Sequence, residues 1–150
     1  MYNQIASENK IFYNTICVQI LYLDSSIRFA GFCNRMGTIL AAEYRNGISP
    51  LLTEKESKLS FMDSVLRMTT RHDTESKLGK PLYSFTVYQD VIRATMLIDN
   101  KDYPILMVSF DNIDHMYSGK KEIDYESIIF KGVLPLVYYY LRTSKGALYR

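Results

Sequence analysis

The sequence predicts an α+β fold, a five-stranded antiparallel sheet in the order helix-strand-strand-helix-strand-strand-strand-helix. Three observations carry this. Residues 82–88, 91–98 and 103–110 are rich in Val, Ile, Phe, Tyr and Thr and are separated only by short polar gaps, the pattern of an antiparallel meander. Residues 27–34 and 38–44 are extended runs around Asn34-Arg35-Met36-Gly37, which has Asn first and Gly last, as a type I turn prefers. Between this hairpin and the meander lies one long amphipathic helix. Sequential pairing around a single core then joins hairpin and meander into one sheet with helices packed on its faces.

Each element has its own justification. Residues 1–7 are expected to fray, and Ser7 or Asn9 caps a helix whose apolar positions Phe12, Ile16, Ile20 and Leu23 recur every three or four residues. Asp24-Ser25-Ser26 breaks it. In the strand that follows, Ile27, Phe29, Gly31 and Cys33 alternate with Arg28, Ala30, Phe32 and Asn34; because Ala30 and Phe32 are apolar too, both faces are expected to be covered. After Arg45-Asn46-Gly47 and Ser49-Pro50, Thr53 and Glu56 have the spacing of a capping box, so a helix starts at Glu54. Lys55, Leu59, Met62, Val65, Leu66 and Thr69 are expected to trace its buried stripe and edges, with Glu56, Lys58, Asp63 and Arg67 outside. Phe61 and Met68 widen that stripe, so the helix touches either several elements of its own core or a second copy of the chain. Residues 71–80 are polar, Gly79 and Pro81 lead into the meander, and residues 111–122 read as a loop. Asp124 caps a last helix, about 124–141, with Ile128, Ile129, Val133, Leu136, Val137 and Tyr140 on its apolar side; Pro135 is expected to kink or split it.

Composition narrows the function. A chain of 150 residues fits one domain, 1–150, large enough to bury roughly two-thirds of its unfolded surface without disulfides or metals. With 47% hydrophobic and 23% charged residues it has the balance of a soluble globular domain, and a net charge of +2 is too small for a nucleic-acid binder. Cys17 and Cys33 fall inside apolar stretches without C-x-x-C spacing and read as free buried thiols of a reducing compartment. The first ten residues hold no apolar signal region, and no run approaches the roughly 18 apolar residues of a membrane span, so a cytoplasmic protein is expected.

The chemistry-bearing residues form no catalytic constellation. His72 and His115 lack a second ligand at zinc spacing, and Asp111, Asp114 and Asp124 lack the regular spacing of a calcium loop. Gly31 and Gly37 do not form a phosphate-binding loop, and no G-x-S-x-G elbow exists. The expectation is a non-enzymatic protein without metal or cofactor. Thirteen tyrosines are conspicuous, and Tyr138-Tyr139-Tyr140 point in successive helical directions about 100° apart, so at least one ring leaves the core.

This order of elements, with the 27–44 hairpin and the long second helix, resembles the roadblock family of dynein-light-chain-related modules over roughly residues 8–110. Ile27-Arg28-Phe29-Ala30-Gly31, Asn34-Arg35-Met36-Gly37 and Pro50-Leu51-Leu52 are similar to a pattern shared by small proteins of ammonia-oxidising archaea. The resemblance implies a homodimer joined through the second helix and a neighbouring edge strand, acting as a platform for a small GTPase or signalling complex. Phe61, Val65, Met68 and Tyr83 are the candidate dimer interface, and Arg67, Arg71, Tyr138 and Tyr139 the candidate partner surface. The alternative is a small-ligand sensor of the PAS or profilin-like kind, which predicts a pocket between sheet and helix lined by Phe85, Val87, Met96 and Met107.

Overall fold

Two strands form the spine of the molecule, β1 (Ile27–Cys33) and β5 (Ile105–Asp111), paired antiparallel with nearly every residue buried. In the computed structural model, which describes residues 2–70, 74–112 and 123–148, β2 (Ile39–Tyr44) pairs with β1, while β4 (Val91–Leu97) and then β3 (Tyr83–Val87) continue from β5. The sheet order is β2-β1-β5-β4-β3 and every pairing is antiparallel. The hairpin and the meander therefore belong to one sheet, as the sequence predicts.

The hairpin turn forms as its residues require. Asn34 Oδ1 accepts from the backbone N–H groups of Met36 and Thr38, both at 2.9 Å, and Gly37 takes φ +79°, a conformation that disfavours any residue with a Cβ. Gly37 is also pressed against the helix α2 (Glu54–Thr70): a Cβ there would stand 2.8 Å from Met62 Cγ. The start of α2 shows the reciprocal capping box, with Thr53 N–H donating to Glu56 Oε1 at 2.9 Å and Glu56 N–H donating to Thr53 Oγ1 at 3.2 Å. Those bonds hold the exposed Glu56 carboxyl below its usual range.

Even-numbered residues of β5 and β4 face one side of the sheet. There Leu106, Val108, Phe110, Ile92, Ala94 and Met96 meet Tyr13, Ile16, Cys17 and Ile20 of α1 (Tyr2–Leu21) and the C-terminal helix. α1 begins earlier than the sequence suggests, and Leu23 lies past its end, exposed. The odd-numbered face, with Phe29, Cys33, Ile105 and Met107, is covered by Phe61 and Val65 of α2. The two cysteines lie on opposite faces, and burial pushes both thiols up, that of Cys33 to about 12.

Three expectations need correction. The buried row of α2 is Phe61, Ser64, Val65 and Met68, whereas Leu59, Met62 and Leu66 face outward. Both rows have helical spacing, and the large Phe61 ring decides between them because it fits over Gly31, where a Cβ would stand 3.2 Å from Phe61 Cζ. Asp111, the start of the stretch expected to be a loop, is the last residue of β5, and the polar 71–80 stretch holds a short helix α3 (Glu75–Leu78) that Gly79 closes. The C-terminal helix is not split at Pro135 and runs beyond residue 141: α4 (Tyr125–Ser127), capped by Asp124 Oδ1, passes into a π-helical segment (Ile128–Val133) and then α5 (Leu134–Leu148). Pro135 falls in the first turn of α5, just after the π segment, where the changed bonding ladder accommodates a residue with no N–H.

At one end of the sheet Asp111 ties three strands together. Its Oδ1 accepts from Arg28 Nη1 at 2.7 Å and its Oδ2 from Arg45 Nη2 at 2.8 Å. Arg45 also donates to the carbonyls of Ser25 and Ile27. Partial burial alone raises the Asp111 carboxyl, but the two guanidinium hydrogen bonds outweigh it and hold the group below the usual carboxylate range.

Two outcomes are expected. Gly31→Ala places a methyl 2.7 Å from the ring of Phe29, itself wedged against Tyr44 and Phe61, and lowers unfolding free energy by about 1–3 kcal/mol in urea titrations. A change under about 0.5 kcal/mol contradicts this packing. For Asp111 the folded carboxyl titrates below the unfolded value near 3.9, so its stabilisation is complete above that pH and is lost as pH falls through the folded value. The stability gap between wild type and Asp111→Asn, about 1 kcal/mol after solvent screening, is therefore constant from about pH 7 to 5 and closes below about pH 4. A gap that persists unchanged in acid refutes the ion-pair account.

Candidate functional site

The α2 side of the sheet carries the functional geometry, because a single long helix lies on it. Across the floor runs one row of directly paired residues: Tyr44 opposite Phe29, Phe29 opposite Ser109, Ser109 opposite Arg93, and Arg93 opposite Thr86. Above this row the first half of α2 contributes Glu56, Ser57, Ser60 and Phe61, and Leu51 and Leu52 precede it. Tyr88, Gln89 and Asp90 close the β3–β4 side, leaving an open cleft of about 740 Å³.

Two guanidinium groups line the cleft, in different electrical states. Arg28 is ion-paired with Asp111, a carboxylate it shares with Arg45. Arg93 takes part in no ion pair among the described residues; its Nη1 donates to Ser60 Oγ, its Cζ lies 6.0 Å from the Tyr88 ring centroid, and its Nε is shut off from solvent without a hydrogen-bond partner. Burial pulls its pKa down, although the phenols of Tyr88 and Tyr44 and the Asp63 carboxylate oppose the shift. The group stays protonated at any physiological pH.

A second feature lies on the outside of α2. Leu59, Met62 and Leu66 are 57%, 54% and 60% exposed and occupy one helical row. A third feature is the sheet edge opposite β2, the strand β3. Leu82 and Tyr88 bond β4 through Leu97 N–H to Leu82 O and Tyr88 N–H to Val91 O. By strand alternation, the N–H and C=O groups of Tyr83, Phe85 and Val87 then point away from β4 toward the open edge.

The sequence-derived candidates distribute unevenly over these features. Phe61, Val65 and Met68 are buried under the chain's own sheet side of α2. Tyr83 stands on the edge strand, half-buried, with its hydroxyl donating to Glu126 Oε1 at 2.6 Å, a bond that raises its pKa. Arg67 is paired with Asp63 at 2.8 Å one turn earlier on α2. Tyr138 packs against the opposite core and accepts from Asp99 N–H at 3.3 Å; Tyr139 is the ring of the triplet that leaves the core. Arg67 and the two tyrosines thus lie on opposite sides of the sheet, and Arg71 lies outside the described residues, as do His72, Asp114 and His115. Of the pocket residues expected for a ligand sensor, only Met107 lines the cleft; Met96 faces the other core, Phe85 packs against it, and Val87 is exposed at the edge, because the cleft opens on the odd face of β4 and β5. Arg28, Tyr44, Ser60 and Arg93 were missed. Their signal is a cation in an otherwise apolar strand, Val91 to Leu97, and it gains meaning only once the register is known. Among the described residues no group of three metal-ligating side chains converges, and no helix is long and apolar enough to cross a membrane.

No protein-family model matches the chain, and no curated protein matches it. Solved structures do. Myxococcus xanthus MglB aligns with a TM-score of 0.61 at 10% identity, covering 91% of this chain and 92% of that one. A roadblock/LC7 domain from Streptomyces avermitilis aligns with 0.59 at 6% identity, covering 91% and 98%. An MglB described in a tetrameric arrangement aligns with 0.55 at 13% identity, covering 71% and 73%. At such identities the likeness is one of fold: this five-stranded antiparallel sheet with its helices is similar to roadblock/LC7-fold structures.

Proposed function

We propose that this chain is a non-enzymatic interaction module that works as a homodimer and presents a platform to a partner protein such as a small GTPase or a signalling assembly. The observation that carries the reading is the row Leu59, Met62 and Leu66, three large apolar side chains more than half exposed on the outer side of α2. The row offers side-chain area that a second copy can cover, and the open edge of β3, across the sheet from the β1–β2 turn that Met62 touches, offers backbone hydrogen bonds. Phe61, Val65 and Met68 lie on the sheet-facing side of α2, beneath that row, and Tyr83 stands on the β3 edge with its side chain on the opposite face of the sheet, against Glu126. The tetrameric arrangement of a protein with the same fold is consistent with self-association. The small-GTPase partner follows from the roadblock resemblance, with Arg67 and Tyr139 as exposed candidates on separate faces.

Light scattering coupled to size exclusion tests the dimer directly. The wild type is expected to elute with twice the chain mass at micromolar concentration. Leu66→Glu, on the outward row and away from the cleft, is expected to weaken dimerisation at least tenfold, about 1.4 kcal/mol, while changing subunit stability by no more than about 0.5 kcal/mol. A wild type that stays monomeric at 0.1 mM, or a Leu66→Glu protein that dimerises as tightly as wild type, removes this surface from consideration.

A further inference from the structure

The geometry points to a second, separate role for the α2 face: the cleft is a binding site for a small organic monocarboxylate, whose carboxylate pairs with Arg93 and whose apolar body lies across β5 onto Phe29 and Tyr44. This goes beyond the interaction reading and does not rest on it.

Four observations combine. The first is volume: about 740 Å³ is the size range of small-molecule sites, far above what side-chain packing leaves by accident. The second is the state of Arg93. A guanidinium has five donors; here one reaches a serine hydroxyl, another is sealed from water with no partner, and no carboxylate of the described residues lies within ion-pair distance. Withdrawing a cation from water without a counter-charge is unfavourable, and an arriving carboxylate removes that penalty. The third is the floor. The register puts Arg93 at one end, Ser109 in the middle, and the rings of Phe29 and Tyr44, tilted against each other with centroids 4.8 Å apart, at the other. From β4 to β1 is two inter-strand steps, roughly 10 Å, which sets the length of the apolar body. The fourth is the rim. Glu56, held by Thr53, and Asp90 in the β3–β4 turn both line the cleft, so a second negative charge on the ligand meets repulsion, and a single carboxylate fits better than a phosphate or a diacid.

Octanoate and 4-phenylbutanoate are suitable probes, used with the intact chain below their aggregation concentrations. Saturable binding by calorimetry is expected for at least one of them, with amide chemical-shift changes centred on Ser60, Arg93 and Ser109. Arg93→Met, which removes the charge and keeps an apolar stem, is expected to weaken that binding at least tenfold. Because the variant also removes the Arg93 bond to Ser60 Oγ, wild type is titrated as well with 1-octanol and with suberate, the eight-carbon diacid; both are expected to bind at least tenfold more weakly than octanoate. The inference is overturned if neither acid saturates, if octanol binds as tightly as octanoate, if suberate does, or if a folded Arg93→Met protein binds the acids unchanged.

Discussion

The constraint behind this structure is the mismatch between a sheet and a helix. Five strands at about 4.8 Å spacing make a surface roughly 19 Å across, and an α-helix with its side chains is only about 10–12 Å wide. Two helices therefore close one face: α1 and the helix running from α4 to α5 bury Phe32, Phe110, Leu106 and Val108 almost completely. On the other face α2 lies alone. It seals Cys33, Ile105 and Met107 and leaves the neighbouring strip of sheet, from Tyr44 to Arg93, beside an open cleft.

The residues on that under-covered face are chosen to tolerate it. β1 keeps Gly31 beneath the ring of Phe61, so α2 approaches closely where it does make contact. Ser109 and Thr95 alternate with Met107 on the inward-facing positions of β5 and β4, and small hydroxyl residues there cost less when partly wet than leucine or phenylalanine would. The charged groups are sorted as well. Asp111 collects Arg28 and Arg45 at the end of the sheet, fastening β1, the end of β2 and β5 to one another, and that leaves Arg93 as the cation within the cleft whose charge is not met.

How much of this could be read from the sequence depends on how local each signal is. The hairpin turn at Asn34–Gly37 and the capping box at Thr53 and Glu56 rest on side-chain to backbone bonds within four residues, and both form as expected. The meander rests on residue types and short connections, and it too forms. The α2 stripe was legible as amphipathic but not in phase. Two adjacent apolar rows, 59-62-66 and 61-65-68, satisfy helical periodicity equally, and only the contact of Phe61 with Phe29 and Gly31, thirty residues earlier, picks the inner one. Pro135 misled because a proline kinks a regular helix, whereas here the π-helical turn before it has already shifted the bonding pattern. The cleft was not legible at all, since it depends on pairings between residues as far apart as Phe29 and Ser109.

The exposed row of α2 and the cleft then have one origin. Had α2 lain lower across β4 and β1, Leu59 would have filled the cavity and Arg93 would have had no room. The contact at the hairpin turn prevents this. Gly37 meets the backbone of Met62 itself, with a Cβ there 3.2 Å from Met62 Cα, so the middle of the helix is held against the tip of the β1–β2 turn. On the sheet-facing side of that contact Phe61, Val65 and Met68 are buried, and on the outward row Leu59 is exposed and also lines the cleft. A tight turn that only glycine can make thus sets how far α2 stands off the sheet, and with it both the apolar row turned to solvent and the space left over Arg93.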